Sequence, residues 1–219
     1  MTITYIYHSC FLIETSDCYY LFDYYKGNLP ELNRKKPILV FASHRHEDHY
    51  NPEIFNMLES MGMSAVYAVL PNDIPEKRYP HTSVEIIKVY HSREYELPCQ
   101  THLKTLLSTD RGVAFLIRCR EGIFYHAGDL NDWCTETATE QEKKQMRGSY
   151  RAQIAKLKDS VLDAAFLPLD PRLGSSYANG ILYFLQQIKV KKVYPMHYWE
   201  QPEIIDRFLT EYPQYRDLF

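Results

Sequence analysis

The chain has 219 residues and a net charge of −3, with no basic stripe, so its electrostatics do not call for nucleic acid. Its five cysteines, Cys10, Cys18, Cys99, Cys119 and Cys134, are odd in number and contain no CxxC pair, which argues against a disulfide framework and against a thiolate zinc site. The N-terminus lacks a basic region followed by a long apolar run, and no apolar run approaches the ~20 residues of a membrane span. The expectation is a cytoplasmic protein without a membrane partner, one domain over residues 1–219, long enough to bury a large core.

In chain order, "TITYIYHSCFLIET" and "CYYLFDYY" are β-branched and aromatic runs split by Ser16 and Asp17, which predicts a hairpin. "PILVFAS" is continuously apolar, the pattern of a strand covered on both faces, and it delivers a cluster of histidines at its C-terminal end. Asn51, Pro52 and Glu53 form a helix-start signature for "PEIFNMLESM". "SAVYAVL", "SVEIIKVY" and "HLKTLLS" read as strands, and "GVAFLIRCREGIFYHAGD" as a hairpin turning at "REG". The polar stretch from Thr135 to Lys158 reads as one exposed helix, or two interrupted near Gly148. After it come a strand "VLDAAFLPLD", a helix "SSYANGILYFLQQIK", a strand "KVYPMH" and a helix "QPEIIDRFLTEY". Strands first and alternating elements later predict two packed sheets with helices outside.

The cluster after the apolar strand, "SHRHEDH", carries His44, His46, Asp48 and His49 in the order HxHxDH. A solvated turn would use Gly, Asn and Ser there instead of imidazoles. His44 and His46, one residue apart, share a face and can bind one metal; Asp48 and His49 follow the turn and can face a neighbouring one. Imidazole suits zinc, iron or manganese, and a carboxylate adds the negative charge a divalent ion needs. Asp129 follows Gly128 at the end of the strand "GIFYHAGD", and His197 ends "KVYPMH". His126, three residues before Asp129, reads as a partner that holds a ligand. His8 is either a packed strand histidine or a substrate-facing acid, while Trp133 and Trp199 follow the two strand-end motifs and can line a pocket mouth. Candidate catalytic side chains are thus Asp48, His8 and His126.

These segments, in this order, resemble a metallo-β-lactamase-fold hydrolase of the branch that includes the L-ascorbate-6-phosphate lactonases. "YHSCFLIE" resembles the opening strand, "ASHRHEDH" the HxHxDH loop, "FYHAGDL" the later strand, and "AAFLPLD" and "VYPMHYW" the last two sheet segments. The resemblance implies an α/β fold, a four-layer αβ/βα sandwich of two mixed sheets with helices outside and the site at one edge between the sheets. It implies one or two divalent ions, zinc first and manganese or iron as alternatives, with Asp129 bridging and His197 completing the second site. Metal-activated hydroxide would then attack a small ester, lactone or phosphoester. The two dications, offset by Asp48 and Asp129, would leave net positive charge for an anionic substrate. A phosphodiesterase or nuclease of the same fold, or a non-catalytic metal-binding or sensing protein, are the alternatives, and a homo-oligomer stays open. The family supplies a third histidine to the first metal. Here His91 in "VYHSRE" has the right local letters, but aligning "STDRGVAFLI" puts Leu107 at that position, which leaves the first site one donor short unless His91, His102 or a water replaces it.

Overall fold

The structure, a computed structural model, describes residues 1–80 and 84–219. Its elements are β1 (Thr2–Tyr7), β2 (Cys10–Glu14), β3 (Tyr19–Phe22), β4 (Ile38–Phe41), α1 (Glu53–Ser60), β5 (Val66–Pro71), β6 (Glu85–Val89), β7 (Glu94–Leu97), β8 (Thr101–Leu107), β9 (Val113–Cys119) and β10 (Gly122–His126). The second half adds α2 (Glu140–Ile154), β11 (Val161–Leu162), β12 (Ala164–Pro168), α3 (Asn179–Gln187), β13 (Lys189–Val190), β14 (Val193–Met196) and α4 (Glu203–Glu211).

Two six-stranded sheets carry the architecture, ordered β1-β2-β3-β4-β5-β6 and β14-β12-β10-β9-β8-β7. Both are mixed: β3 to β6 run parallel in the first, while β10, β12 and β14 run parallel in the second. The two-residue side-chain period sorts each strand of the first sheet between two cores. Phe11, Ile13, Tyr20, Phe22, Leu39 and Phe41 enter the cluster shared with the second sheet. Their neighbours Leu12, Tyr19, Leu21, Ile38 and Val40 enter the cluster beneath α1, with Ile54, Phe55 and Leu58. Aromatic rings join the sheets, Phe11 to Phe166 at 4.6 Å, Tyr20 to Phe124 at 5.1 Å and Phe41 to Phe115 at 5.2 Å between centroids. Tyr150 and Ile154 of α2, Phe184 of α3 and Phe208 of α4 close the far side of the second sheet. The result is the expected four-layer αβ/βα sandwich.

Several local expectations change. The run from Thr2 to Thr15 is not one strand: it folds back at His8 and Ser9, so β1 and β2 pair with each other, and β2 then makes the expected hairpin with β3. His8 adopts a left-handed φ of 57°, uncommon for a residue other than glycine, and the chain turns there. The strand β7 was not anticipated, because "EYEL" has two acids and only one fully apolar partner face. Helix α2 passes through Gly148 without a break; a side chain there would meet nothing, so this is an exposed glycine that weakens the helix by about 1 kcal/mol without interrupting it. Asn51 does cap α1, its Oδ1 accepting from Glu53 N at 3.0 Å. The strand "VLDAAFLPLD" splits into β11 and β12, and the first residue of "SVEIIKVY" lies outside the described residues.

All five cysteines are free thiols. Burial pushes the Cys18 thiol up to about 12 and the Cys134 thiol up to about 11, which keeps both protonated and slow to react. Adding a thiol reductant is therefore expected to leave the melting temperature unchanged. A lost structural disulfide costs about 2–5 kcal/mol, so a fall of about 5 °C or more would contradict this. Among the described residues no helix is long and apolar enough to cross a membrane.

Candidate metal centre

The ends of β3, β4, β10, β12 and β14 carry residues that meet at one edge of the two sheets, and the turn between β1 and β2 joins them. Crevices beyond the carboxyl ends of parallel strands are where open α/β sheets bind ligands. The loop after β4 holds Ser43 to His49. It packs so closely on its neighbours that glycine is required twice: a Cβ at Gly112 would lie 2.0 Å from Ser43 O, and one at Gly128 would lie 2.5 Å from Ser43 Cβ. Both glycines have left-handed φ, 64° and 51°. His8, Asp23, His197 and Trp199 also adopt positive φ, so backbone strain concentrates at this edge.

Two groups of donor atoms result. His44, His46, Asp110 and Asp129 form the first; His8, Asp48, His49 and His197 form the second; within each, the donor atoms all lie within 4.8 Å of one another. In the first, His44 Nε2 is 2.8 Å from His46 Nδ1 and 3.4 Å from Asp129 Oδ2. In the second, Asp48 Oδ2 lies 3.4 Å from His8 Nε2, 3.6 Å from His49 Nε2 and 3.9 Å from His197 Nε2. The other oxygen of Asp129, Oδ1, faces this second group, 3.2 Å from His49 Nε2 and 3.4 Å from His197 Nε2. One carboxylate thus addresses both groups, one oxygen to each.

The residues fit divalent ions. Donors on one ion with bonds of about 2.1 Å sit roughly 3 to 3.5 Å apart, close to the spacings here. His8 Nε2, His49 Nε2 and Asp129 Oδ1 are buried without a hydrogen-bond partner, a costly arrangement that a cation relieves. Outer partners fix three of the imidazoles. His49 Nδ1 donates to Asp23 Oδ2 at 2.7 Å and His197 Nδ1 donates to Asp170 Oδ2 at 2.9 Å, leaving both Nε2 atoms for the centre. Ser43 Oγ donates to Asp23 Oδ2 at 2.7 Å and so accepts from His44 Nδ1 at 3.0 Å, which frees His44 Nε2.

The electrostatics follow from burial against these contacts. Burial and the neighbouring His49 hold His44 down to about 4, so its Nε2 lone pair is available at neutral pH. Burial likewise lowers His8, against the pull of Asp48. Burial opposes a charge on His49 too, but Asp129 and Asp23 on either side outweigh it and raise His49 well above the usual imidazole range. Without a cation His49 therefore keeps a proton at pH 7, and Nε2 must release it to coordinate. Binding of a divalent ion to the second group is expected to release about one proton and to tighten as pH rises. Calorimetry in two buffers of different ionisation enthalpy should give different apparent enthalpies; equal values would contradict it.

His44, His46, Asp48, His49, Asp129 and His197 are brought together, and His8 joins them at the second group. Three candidates fall elsewhere. His126 is buried below the site; its Nδ1 accepts from Gly128 N at 3.2 Å, so its Nε2 donates to Ser9 O at 2.9 Å, and both nitrogens are occupied in pinning the His8 turn to the Asp129 loop. It is a positioning residue and not one facing a substrate. His91 lies exposed on the β6–β7 connection with only Ser92 Oγ at 3.5 Å, and His102 pairs with Glu96 at the sheet edge. Neither joins a donor group, and Leu107 points away from the centre, 42% exposed. The first group is nevertheless not short of a donor, because Asp110, three residues past Leu107, stands beside His46.

Asp23, Asp110, Asp170 and Arg172 escaped the sequence reading. Asp23 and Asp170 do carry the signal used for Asp129, an acid just past an apolar strand. Above the centre lies a cavity of about 450 Å³ walled by Trp133, Met146 and Trp199, with Arg172 at its rim. The Arg172 guanidinium lies 4.5 Å over the Trp199 ring and is held by Asp170, with Nη2 to Oδ2 at 2.5 Å.

Among curated proteins no relative matches at a significant level. Solved structures do. A metallo hydrolase from the archaeon Ignicoccus hospitalis, Igni18, superimposes with a TM-score of 0.64 at 18% identity, over 97% of this chain and 90% of that one. An isothiocyanate hydrolase from Delia radicum gut bacteria gives 0.56 at 11% identity, over 100% and 95%. CmlA, a diiron β-hydroxylase from Streptomyces venezuelae, gives 0.59 at 14% identity over 89% of this chain and 44% of that one, so the chain spans less than half of that protein. At these identities the likeness establishes the fold. Residues 2–147, which run from β1 through the HxHxDH loop and Asp129 into α2, match the β-lactamase superfamily domain, and the chain belongs to that family.

Proposed function

We propose that the protein is a metal-dependent hydrolase acting on a small ester, lactone or phosphoester that carries an anionic group. The observation that supports this most is Asp129, whose two carboxylate oxygens face two separate donor groups on the floor of a cavity. The hydrolase neighbours, which match over nearly their whole length, are consistent with it. Divalent ions held by the two groups would supply Lewis acidity and a water whose pKa falls to about 7.

The chain's own residues do the rest. Burial opposes ionisation of Asp48, but the adjacent His8 and His49 hold its carboxyl well below the usual range, so it is a carboxylate at neutral pH on the cavity floor, ready to serve as the acidic donor of the second group. His8 Nε2, 3.4 Å from Asp48 Oδ2, faces the same group. Trp133, Met146 and Trp199 exclude water from the apolar part of a substrate. Asp110 adds negative charge beyond Asp48 and Asp129, so the positive charge for an anionic substrate falls to Arg172. Its stacking on Trp199 and pairing with Asp170 hold the guanidinium in one place before anything binds.

The test is a turnover screen of the metal-loaded protein over carboxylic esters, lactones, phosphomonoesters and phosphodiesters, RNA included. Turnover of a small anionic substrate, abolished by a chelator and restored by divalent metal, is expected, with Arg172→Gln raising KM more than it lowers kcat. Activity confined to nucleic acid would favour the nuclease alternative. Tight binding of two ions with no turnover on any class would favour a sensing role.

A further inference from the structure

We propose that Asp110 is the third protein donor of the first group and that it shifts the preference of this group from zinc toward iron(II) or manganese(II). The inference rests on the metal-binding half of the proposed function and on nothing about turnover.

Asp110 sits in the tight connection between β8 and β9, and that connection is bound to both neighbouring loops of the centre. Thr109 Oγ1 donates to Asn131 O at 2.6 Å and accepts from Asn131 N at 3.0 Å, which ties it to the loop that carries Asp129. Val113 N donates to Ser43 O at 2.9 Å, which ties it to the histidine loop. Gly112 permits the close approach between them. Asp110 N donates to Ser108 Oγ at 3.1 Å, which orients the turn. Held this way, Asp110 Oδ2 lies 3.7 Å from His46 Nδ1 and lines the cavity. Among the described residues no Lys or Arg pairs with it; His46 is its one ionic neighbour.

The two groups then differ in kind. The second offers three imidazoles with Asp48, a set suited to zinc. The first offers two imidazoles and two carboxylates, and it opens to solvent through His46 and Asp110, 43% and 42% exposed. Carboxylate oxygens and waters shift preference toward harder ions, and two histidines with a carboxylate and open positions are the donor set of non-haem iron(II). Three imidazoles at the first group would have favoured zinc; Asp110 replaces one of them with oxygen.

The experiment reads relative affinity. Metal-free protein is titrated anaerobically with zinc, manganese(II) and iron(II) in separate calorimetric runs, the first-group equivalent being the one lost in His46→Ala. For that equivalent the ratio of iron or manganese affinity to zinc affinity is expected to fall at least about tenfold in Asp110→His relative to wild type. Asp110→Asn should weaken the same equivalent for all three ions while the other stays, which also reports that the variant is folded, and His91→Ala should change nothing. An unchanged ratio in Asp110→His, an unaffected Asp110→Asn, or a His91→Ala protein that loses the same equivalent would each overturn the assignment. Binding of no ion at either group would overturn both this inference and the proposed function.

Discussion

Asp129→Asn is expected to lower the metal content of the protein from two ions to less than one and to reduce turnover by about 10²–10³-fold, the scale of losing one preorganised electrostatic group at a reacting centre. The carboxylate is buried, and its Oδ1 and Oδ2 reach different donor groups. Burial alone would favour its protonation, but His49, His197 and His44 around it hold it ionised, well below the usual carboxylate range. An amide keeps the shape and removes the charge on which both ions depend, and it also turns an N–H pair toward one of them. Metal analysis and kinetics on the same preparation check this. Full metal content with unchanged rates would mean that Asp129 is only a packed acid.

Asp23→Ala is expected to be the most destabilising single change among the outer partners of the centre. Asp23 is fully buried, and its carboxylate accepts from His49 Nδ1 at 2.7 Å, Ser43 N at 2.6 Å and Ser43 Oγ at 2.7 Å. Truncation leaves a buried imidazole charge and two donors without partners, which costs about 3–5 kcal/mol and, for a chain of this size, of order 10 °C in melting temperature. Asp23→Asn should cost less, since the amide can still accept. The sign of the pH dependence follows from the native carboxyl, which burial would raise but His49, His126 and His44 lower. The stabilisation is present above the unfolded value of about 3.9 and is lost as pH falls through the lower folded one. Denaturant unfolding of the metal-free protein measures it; a loss under about 1 kcal/mol would contradict the role. Metal affinity should drop as well, by about 10–100-fold, because His49 would no longer be oriented.

What could be read in advance follows from how far along the chain each signal extends. The HxHxDH loop was legible because its donors lie within six residues of one another, and the strand before it is apolar on both faces, as its place between two cores requires. Asp129 and His197 were legible as polar residues at strand ends. Asp110 was not, since only the close packing of the β8–β9 connection on Ser43 and Asn131 brings it beside His46, and nothing local in "STDRG" distinguishes a ligand from a turn acid. The letter-by-letter spacing pointed to Leu107, which the pleat instead turns outward. His8 was ambiguous because its role depends on a left-handed turn that splits one apparent strand into two. His126 carried the same letters as a ligand-bearing strand end, yet it falls beneath the centre, where Gly128 N and Ser9 O use both its nitrogens.

The central claim is that two donor groups hold two ions across Asp129. Anomalous diffraction from crystals of the metal-loaded protein tests it most directly. Two peaks about 3.5–4 Å apart are expected, one among His44, His46 and Asp110, the other among His8, Asp48, His49 and His197, with Asp129 between them. A fully loaded crystal with no anomalous peak at this edge, or with a lone peak that Asp129 does not touch, would contradict it.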